Sequence, residues 1–228
     1  MAKNEENKDI LESPEAIAEK VTGIEQWIEH NPKIVFSILG VLLLIAGGYF
    51  GYRYYVSTQD DLAQKEMFQA VHYFEADSLD LAMEGDGNNL GFKQIIDDYG
   101  MTPAGNLANF YAGAACLKQG KYPLAILYLK DFSANDQLVQ ARAYSLIGDA
   151  YMEQKQYEDA ATYYDKAATY KPNKFFTPTY LMKAALAFEK ANQKEKAIKA
   201  YQRVIDEFWE SGDYQNARKF KARLETNS

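Results

Sequence analysis

Cysteine is almost absent from the chain: Cys116 is the only one in 228 residues, which excludes an internal disulfide framework. It falls at a core position of the helical pattern set out below and reads as a buried thiol rather than a nucleophile. Histidine is scarce too. His30 and His72 flank a long apolar run, and His72 has no second His, Cys or Asp at ligand spacing, so no metal site is predicted. Bases are outnumbered, with 25 Lys and Arg against 32 Asp and Glu, a net charge of −7 and a pI near 5.0. Nucleic acid is therefore not an expected partner, because phosphate binding needs a basic face. A Gly-rich phosphate loop and a GxSxG elbow are both missing. The acid pairs Asp60–Asp61 and Asp97–Asp98 are adjacent, so their carboxylates point in different directions on a helix. Residues 84–89, EGDGNN, lack the alternating acids and closing Glu of a calcium loop and read as a turn. The sequence thus predicts no enzyme, no cofactor and no small-molecule substrate.

Only one long hydrophobic run is present. Residues 34–52, IVFSILGVLLLIAGGYFGY, hold no charge. At about 1.5 Å per residue they span roughly 28 Å, close to the hydrocarbon thickness of a bilayer. Tyr49, Tyr52, Tyr54 and Tyr55 crowd the far end as an aromatic belt beside Arg53. No short basic n-region or small-x-small cleavage site accompanies the run, so an uncleaved transmembrane helix over 34–53 is expected. Gly47 and Gly51 form a GxxxG step. Before the run, residues 1–33 carry eight acids and four lysines, and the part up to Glu12 reads as a solvated, disordered tail. Ser13, Pro14 and Glu15 form a helix start signal. Ile17, Val21, Ile24 and Ile28 then make an amphipathic stripe, either resting at a membrane surface or on a partner helix, or only transiently helical. Lys20 and Lys33 on one flank balance Arg53 and Lys65 on the other, so charge does not orient the span.

After the run comes a repeat. In residues 141–172, ARAYSLIGDAYMEQKQYEDAATYYDKAATYKP, aromatics stand at Tyr144, Tyr151 and Tyr164, small residues at Gly148, Ala160 and Ala167, and Pro172 closes the unit. This resembles the tetratricopeptide repeat at each signature position, a pair of helices packed as a hairpin. Small residues mark where two helices cross closely, and tyrosines fill the space around the crossing. Gly113 and Ala125 place a further unit over 106–132, and Leu181, Ala185, Phe188, Ala197 and Tyr201 place another over 178–209. Residues 59–100 read as a degenerate first repeat with an insertion near 77–89. Leu62, Met67, Ala70, Val71 and Phe74 form the inner face of its first helix, and Gly100 is the C-cap of its second. Residues 213–225 read as a capping helix that starts from Asp213. The expected fold is all-α: one N-terminal transmembrane helix followed by a tetratricopeptide-repeat α-solenoid over 57–228.

The resemblance implies a concave groove lined by the first helix of each hairpin at its second, fifth, ninth and twelfth positions. These are Leu107, Phe110, Ala114 and Leu117, then Arg142, Ser145, Asp149 and Met152, then Thr179, Met182, Leu186 and Glu189. The Lys and Asn residues that clamp a peptide carboxylate in some such domains are absent. The surface that remains suits hydrophobic segments of protein partners, unless the degenerate first repeat covers Leu107 and Phe110. Charge is uneven as well: residues 59–98 hold ten acids and two bases, whereas 99–228 hold fourteen acids and eighteen bases.

Acidic tail, amphipathic stretch, single membrane helix and C-terminal repeats together resemble the YfgM-like family of bacterial inner-membrane proteins. The run IIDDYG…AGNLANFYAGAACLKQGKY is also similar to repeats of envelope-assembly proteins. The resemblance implies a cytoplasmic N-terminus, periplasmic repeats and partners among Sec translocon subunits, periplasmic chaperones and exported chains. An envelope scaffold for cell division or outer-membrane assembly is the second expectation.

Overall fold

The computed structural model describes residues 27–226. The tail up to Glu12, the Ser13 helix start and the stripe from Ile17 to Ile24 lie outside the described residues. The chain forms two compact units, Met1–Tyr55 and Val56–Ser228. Helix α1 (Pro32–Glu75) is unbroken and begins at a proline, whose missing N–H is no loss at a first helical position.

In the first unit, the apolar part of α1 is long enough to cross a membrane, and none of its most apolar window is buried by the protein. Leu43 and Leu44 are 73% and 78% exposed. A leucine left in water forgoes about 1.5–3 kcal/mol of burial. Among the described residues, nothing lies within 4 Å of an added methyl group at Gly47 or Gly51.

In the second unit, α1 is followed by α2 (Leu79–Glu84), α3 (Phe92–Tyr99), α4 (Pro103–Lys118), α5 (Tyr122–Asp131), α6 (Val139–Glu153), α7 (Tyr157–Thr169), α8 (Thr177–Lys190), α9 (Lys194–Glu207) and α10 (Tyr214–Thr226). From α3 onward each helix packs chiefly on the one before and the one after it, as in a solenoid. Alanine dominates the contacts: Ala108, Ala112, Ala143, Ala150, Ala160, Ala184 and Ala197 are fully buried, which lets neighbouring helices approach closely.

One turn recurs. At Gly120, Lys155 and Asn192, between the helices of successive hairpins, φ is 72°, 59° and 58°. Around Lys155, its N–H donates to Met152 O and the Gln156 N–H to Tyr151 O. Gly120 and Asn192 carry the same pair of bonds, and so does Asp77 (φ 58°) at the end of α1. These closures satisfy the last carbonyls of the first helix and turn the chain back on itself. Asp77 therefore ends α1 in the same way as the first helices of the later hairpins end.

The structure departs from expectation in this first hairpin. The inner face of α1 is Ala63, Met67 and Ala70, with Val71 and Phe74 half-buried against the same core as expected; Leu62 instead is 43% exposed and Ala63 takes its place. Small alanines at 63 and 70 permit the close approach that Leu62 would block. The insertion holds α2, six residues that bury Ala82 and Met83. The turn after it is tied by Asp86, whose carboxylate accepts from Tyr73 Oη (2.7 Å), Asn88 N (2.8 Å) and Asn89 N (2.7 Å). These bonds, that from Tyr73 foremost, hold its pKa well below the usual carboxylate range. Gly100 follows α3, but with right-handed dihedrals rather than as a left-handed cap. A side chain there would meet Ile96 O at 2.6 Å.

Candidate functional site

Three helices build the site: α4, α6 and α8, the first helices of successive hairpins. The start of α4 is fixed by its own sequence and by α1. Thr102 Oγ1 accepts from Gly105 N (3.0 Å) and Pro103 occupies the first turn, a cap and a proline in their favoured places. Asp60 Oδ1 on α1 accepts from Ala104 N at 2.7 Å, bringing a carboxylate to the positive end of α4.

A cleft of 520 Å³ runs across the N-terminal halves of the three helices. Leu107, Phe110 and Tyr111 line it from α4, Leu138, Val139 and Arg142 from the start of α6, and Phe176, Thr179, Tyr180 and Lys183 from α8. Of the residues anticipated from the repeat pattern, the cleft brings together Leu107, Phe110, Arg142 and Thr179. Leu107 and Phe110 are half-buried and still form its wall. A second cleft of 610 Å³ lies between α1 and α4 and shares Leu107 with the first.

The remaining anticipated residues sit elsewhere. Ser145 is fully buried, and its hydroxyl has no hydrogen-bond partner. Ala114 and Leu117 pack against the buried core. Met152 leans on the Ala160–Ala161 cluster beside Phe188, and Met182 on the cluster around Leu181. Leu186 is 46% exposed but lies outside the cleft lining.

Asp149 and Glu189 do not project as groove anions, because each carboxylate is engaged between helices. Asp149 accepts from Tyr164 Oη on α7 (2.6 Å) and from Lys183 Nζ on α8 (2.8 and 3.1 Å). Glu189 accepts from Tyr201 Oη on α9 (2.6 Å) and from Arg223 on α10 (2.5 Å). Burial first, then the adjacent carboxylate, pushes the pKa of both tyrosines well above the ordinary value of 10.0. The Asp149–Lys183 pair joins α6 to α8 and bounds the cleft on that side.

Six lining residues were not anticipated: Tyr111, Leu138, Val139, Phe176, Tyr180 and Lys183. Leu138, Val139 and Phe176 precede the first counted position of their repeats, and only their apolar character in otherwise polar connections marks them. Burial raises the Tyr180 pKa, and the nearby Arg142 charge pulls it back. Cys116 is buried, and desolvation pushes its thiol up, away from reactive thiolate. Among the described residues no group of three or more His, Cys, Asp or Glu side chains is arranged to hold a metal ion.

Stacked hairpins with an apolar cleft along their first helices define a helical repeat solenoid of the protein-binding kind. Two family models, both described as tetratricopeptide repeat, match residues 117–174 and 180–211. The chain therefore carries tetratricopeptide repeats, which point to a role in protein–protein interaction. No curated protein matches the chain.

Proposed function

We propose that this protein is a membrane-anchored adaptor or chaperone that holds apolar segments of other proteins in the cleft between α4, α6 and α8. The observation that carries the reading is the cleft wall itself: Leu107, Phe110, Tyr111, Leu138 and Phe176 are left facing a 520 Å³ space. Leu138 and Phe176 are 49% and 47% exposed. Apolar side chains gathered in a concavity gain by burial against an apolar partner, at about 25 cal/mol per Å² covered. The uncovered apolar stretch of α1 supports anchoring by one membrane helix.

The resemblance to the YfgM-like family extends this to a place and to partners: the bacterial inner membrane, N-terminus in the cytoplasm and repeats in the periplasm. There the cleft serves Sec translocon subunits, periplasmic chaperones or exported chains. Photocrosslinkers at Leu107 and Phe110 in cells test the reading. Adducts with translocon subunits, periplasmic folding factors or exported chains are expected. Adducts confined to cell-division or outer-membrane assembly machinery overturn it in favour of a scaffold. Topology is tested separately with a tag after Ser228: protease added to spheroplasts removes it, whereas protection puts the repeats in the cytoplasm.

A further inference from the structure

The two clefts meet at Leu107, and their rims carry opposite charge. On the α1 side the carboxylates of Asp60 and Glu75 stand on the rim. Asp60 accepts from Ala104 N and Gln64 Nε2 (2.7 Å each). On the α6 and α8 side the ionisable groups of opposite sign are Arg142 and Lys183. Lys183 is matched by Asp149 at 2.8 Å. Glu75 and Arg142 form no ion pair among the described residues, and both are exposed. An apolar middle of Leu107 and Phe110 lies between an anionic end and a cationic end.

Resting on the groove reading above, we infer that the joined clefts hold one protein segment in a fixed direction. Its cationic residue sits at Glu75, about 22 Å along α1 from Asp60, an apolar run on Leu107 and Phe110, and its anionic residue at Arg142. Apolar burial supplies attraction without direction. Charge supplies the direction, because a reversed segment sets like charges against each other at both ends. The segment is recognised by its order of base, apolar run and acid, so it needs neither a free C-terminus nor a phosphate.

The test uses the full chain in nanodiscs and two synthetic peptides of equal composition. Each has two lysines at one end, two glutamates at the other and an apolar Leu/Phe run between. One carries a photoreactive benzoylphenylalanine beside the lysines, the other beside the glutamates. The lysine-end probe is expected to label residues 60–75 and the glutamate-end probe residues 138–142 or 176–183. Arg142→Glu weakens peptide binding by roughly fivefold at low salt, an effect that shrinks as salt screens the rim. The double variant Glu75→Lys, Arg142→Glu exchanges the two labelling patterns, with circular dichroism confirming an intact helical fold. Labelling of both clefts without regard to the charged end overturns the direction and leaves the groove reading standing. Labelling outside the clefts overturns both. Crosslinks solely between two copies of the chain make the surface a self-association face and overturn the inference.

Discussion

The ring of Tyr164 lies directly over Gly148: a methyl group on Gly148 would stand 2.6 Å from Tyr164 Cε1 and 2.7 Å from Cδ1. The hairpin of α6 and α7 is thus closed by one ring set on a bare backbone. Gly148→Ala gains up to about 1 kcal/mol of helix propensity but forces the ring to move, at about 1–3 kcal/mol. The expected net effect is a loss of about 1–2 kcal/mol, read as a lower midpoint in thermal unfolding followed by circular dichroism. Gly48→Ala, with nothing within 4 Å, is the control and leaves the midpoint unchanged or raised.

Lys155 occupies the left-handed turn position that glycine occupies in the preceding hairpin. A side chain in that conformation costs about 1 kcal/mol that glycine avoids. Lys155→Gly is expected to raise stability by up to that amount, and Gly120→Ala to lower it by a similar amount. Chemical denaturation of both variants checks the pair, and a loss on Lys155→Gly contradicts the assignment of strain.

Ser145 carries a buried hydroxyl with no partner. An unpaired buried hydroxyl costs on the order of 1–3 kcal/mol, part of which its removal recovers. Ser145→Ala is expected to raise stability by about 1 kcal/mol and to leave peptide binding in the cleft unaltered. A binding defect without a stability change would restore Ser145 to the groove.

The hydroxyl of Tyr164 links stability to alkaline pH. Its folded pKa lies above the ordinary 10.0, so its contribution is complete below pH 10 and is lost as pH rises further. Tyr164→Phe removes the bond to Asp149 and is expected to cost about 1–2 kcal/mol at pH 7. In exchange, stability falls less steeply above pH 10, Tyr201 leaving a residual slope in the same direction. Parallel loss in both proteins above pH 10 contradicts this.

The hairpins are legible in the sequence because their crossings demand small residues at fixed places. A Cβ on Gly113 would stand 2.5 Å from Leu129 and one on Gly148 2.6 Å from Tyr164, so any larger residue forces its neighbour to move. The cleft is only partly legible. A template applied repeat by repeat points to Asp149 and Glu189. It cannot see that each is claimed by a cation 34 residues further on. Leu138 and Phe176 fall in connections where the template has no positions. Helix α2, with six residues, is too short for periodicity to reveal, and it exists because Ala82 and Met83 find a core to enter.

The link between Asp149 and Lys183 also limits how the repeats can be reused. Within the unit of residues 141–172 the counterpart of Lys183 is Leu146, itself buried. An array built by copying that unit end to end would set a leucine against each Asp149 and leave a half-buried carboxylate with its tyrosine but without its cation at every junction. The hairpins of this chain share a shape but are not interchangeable parts, and their order is written into which one brings the lysine.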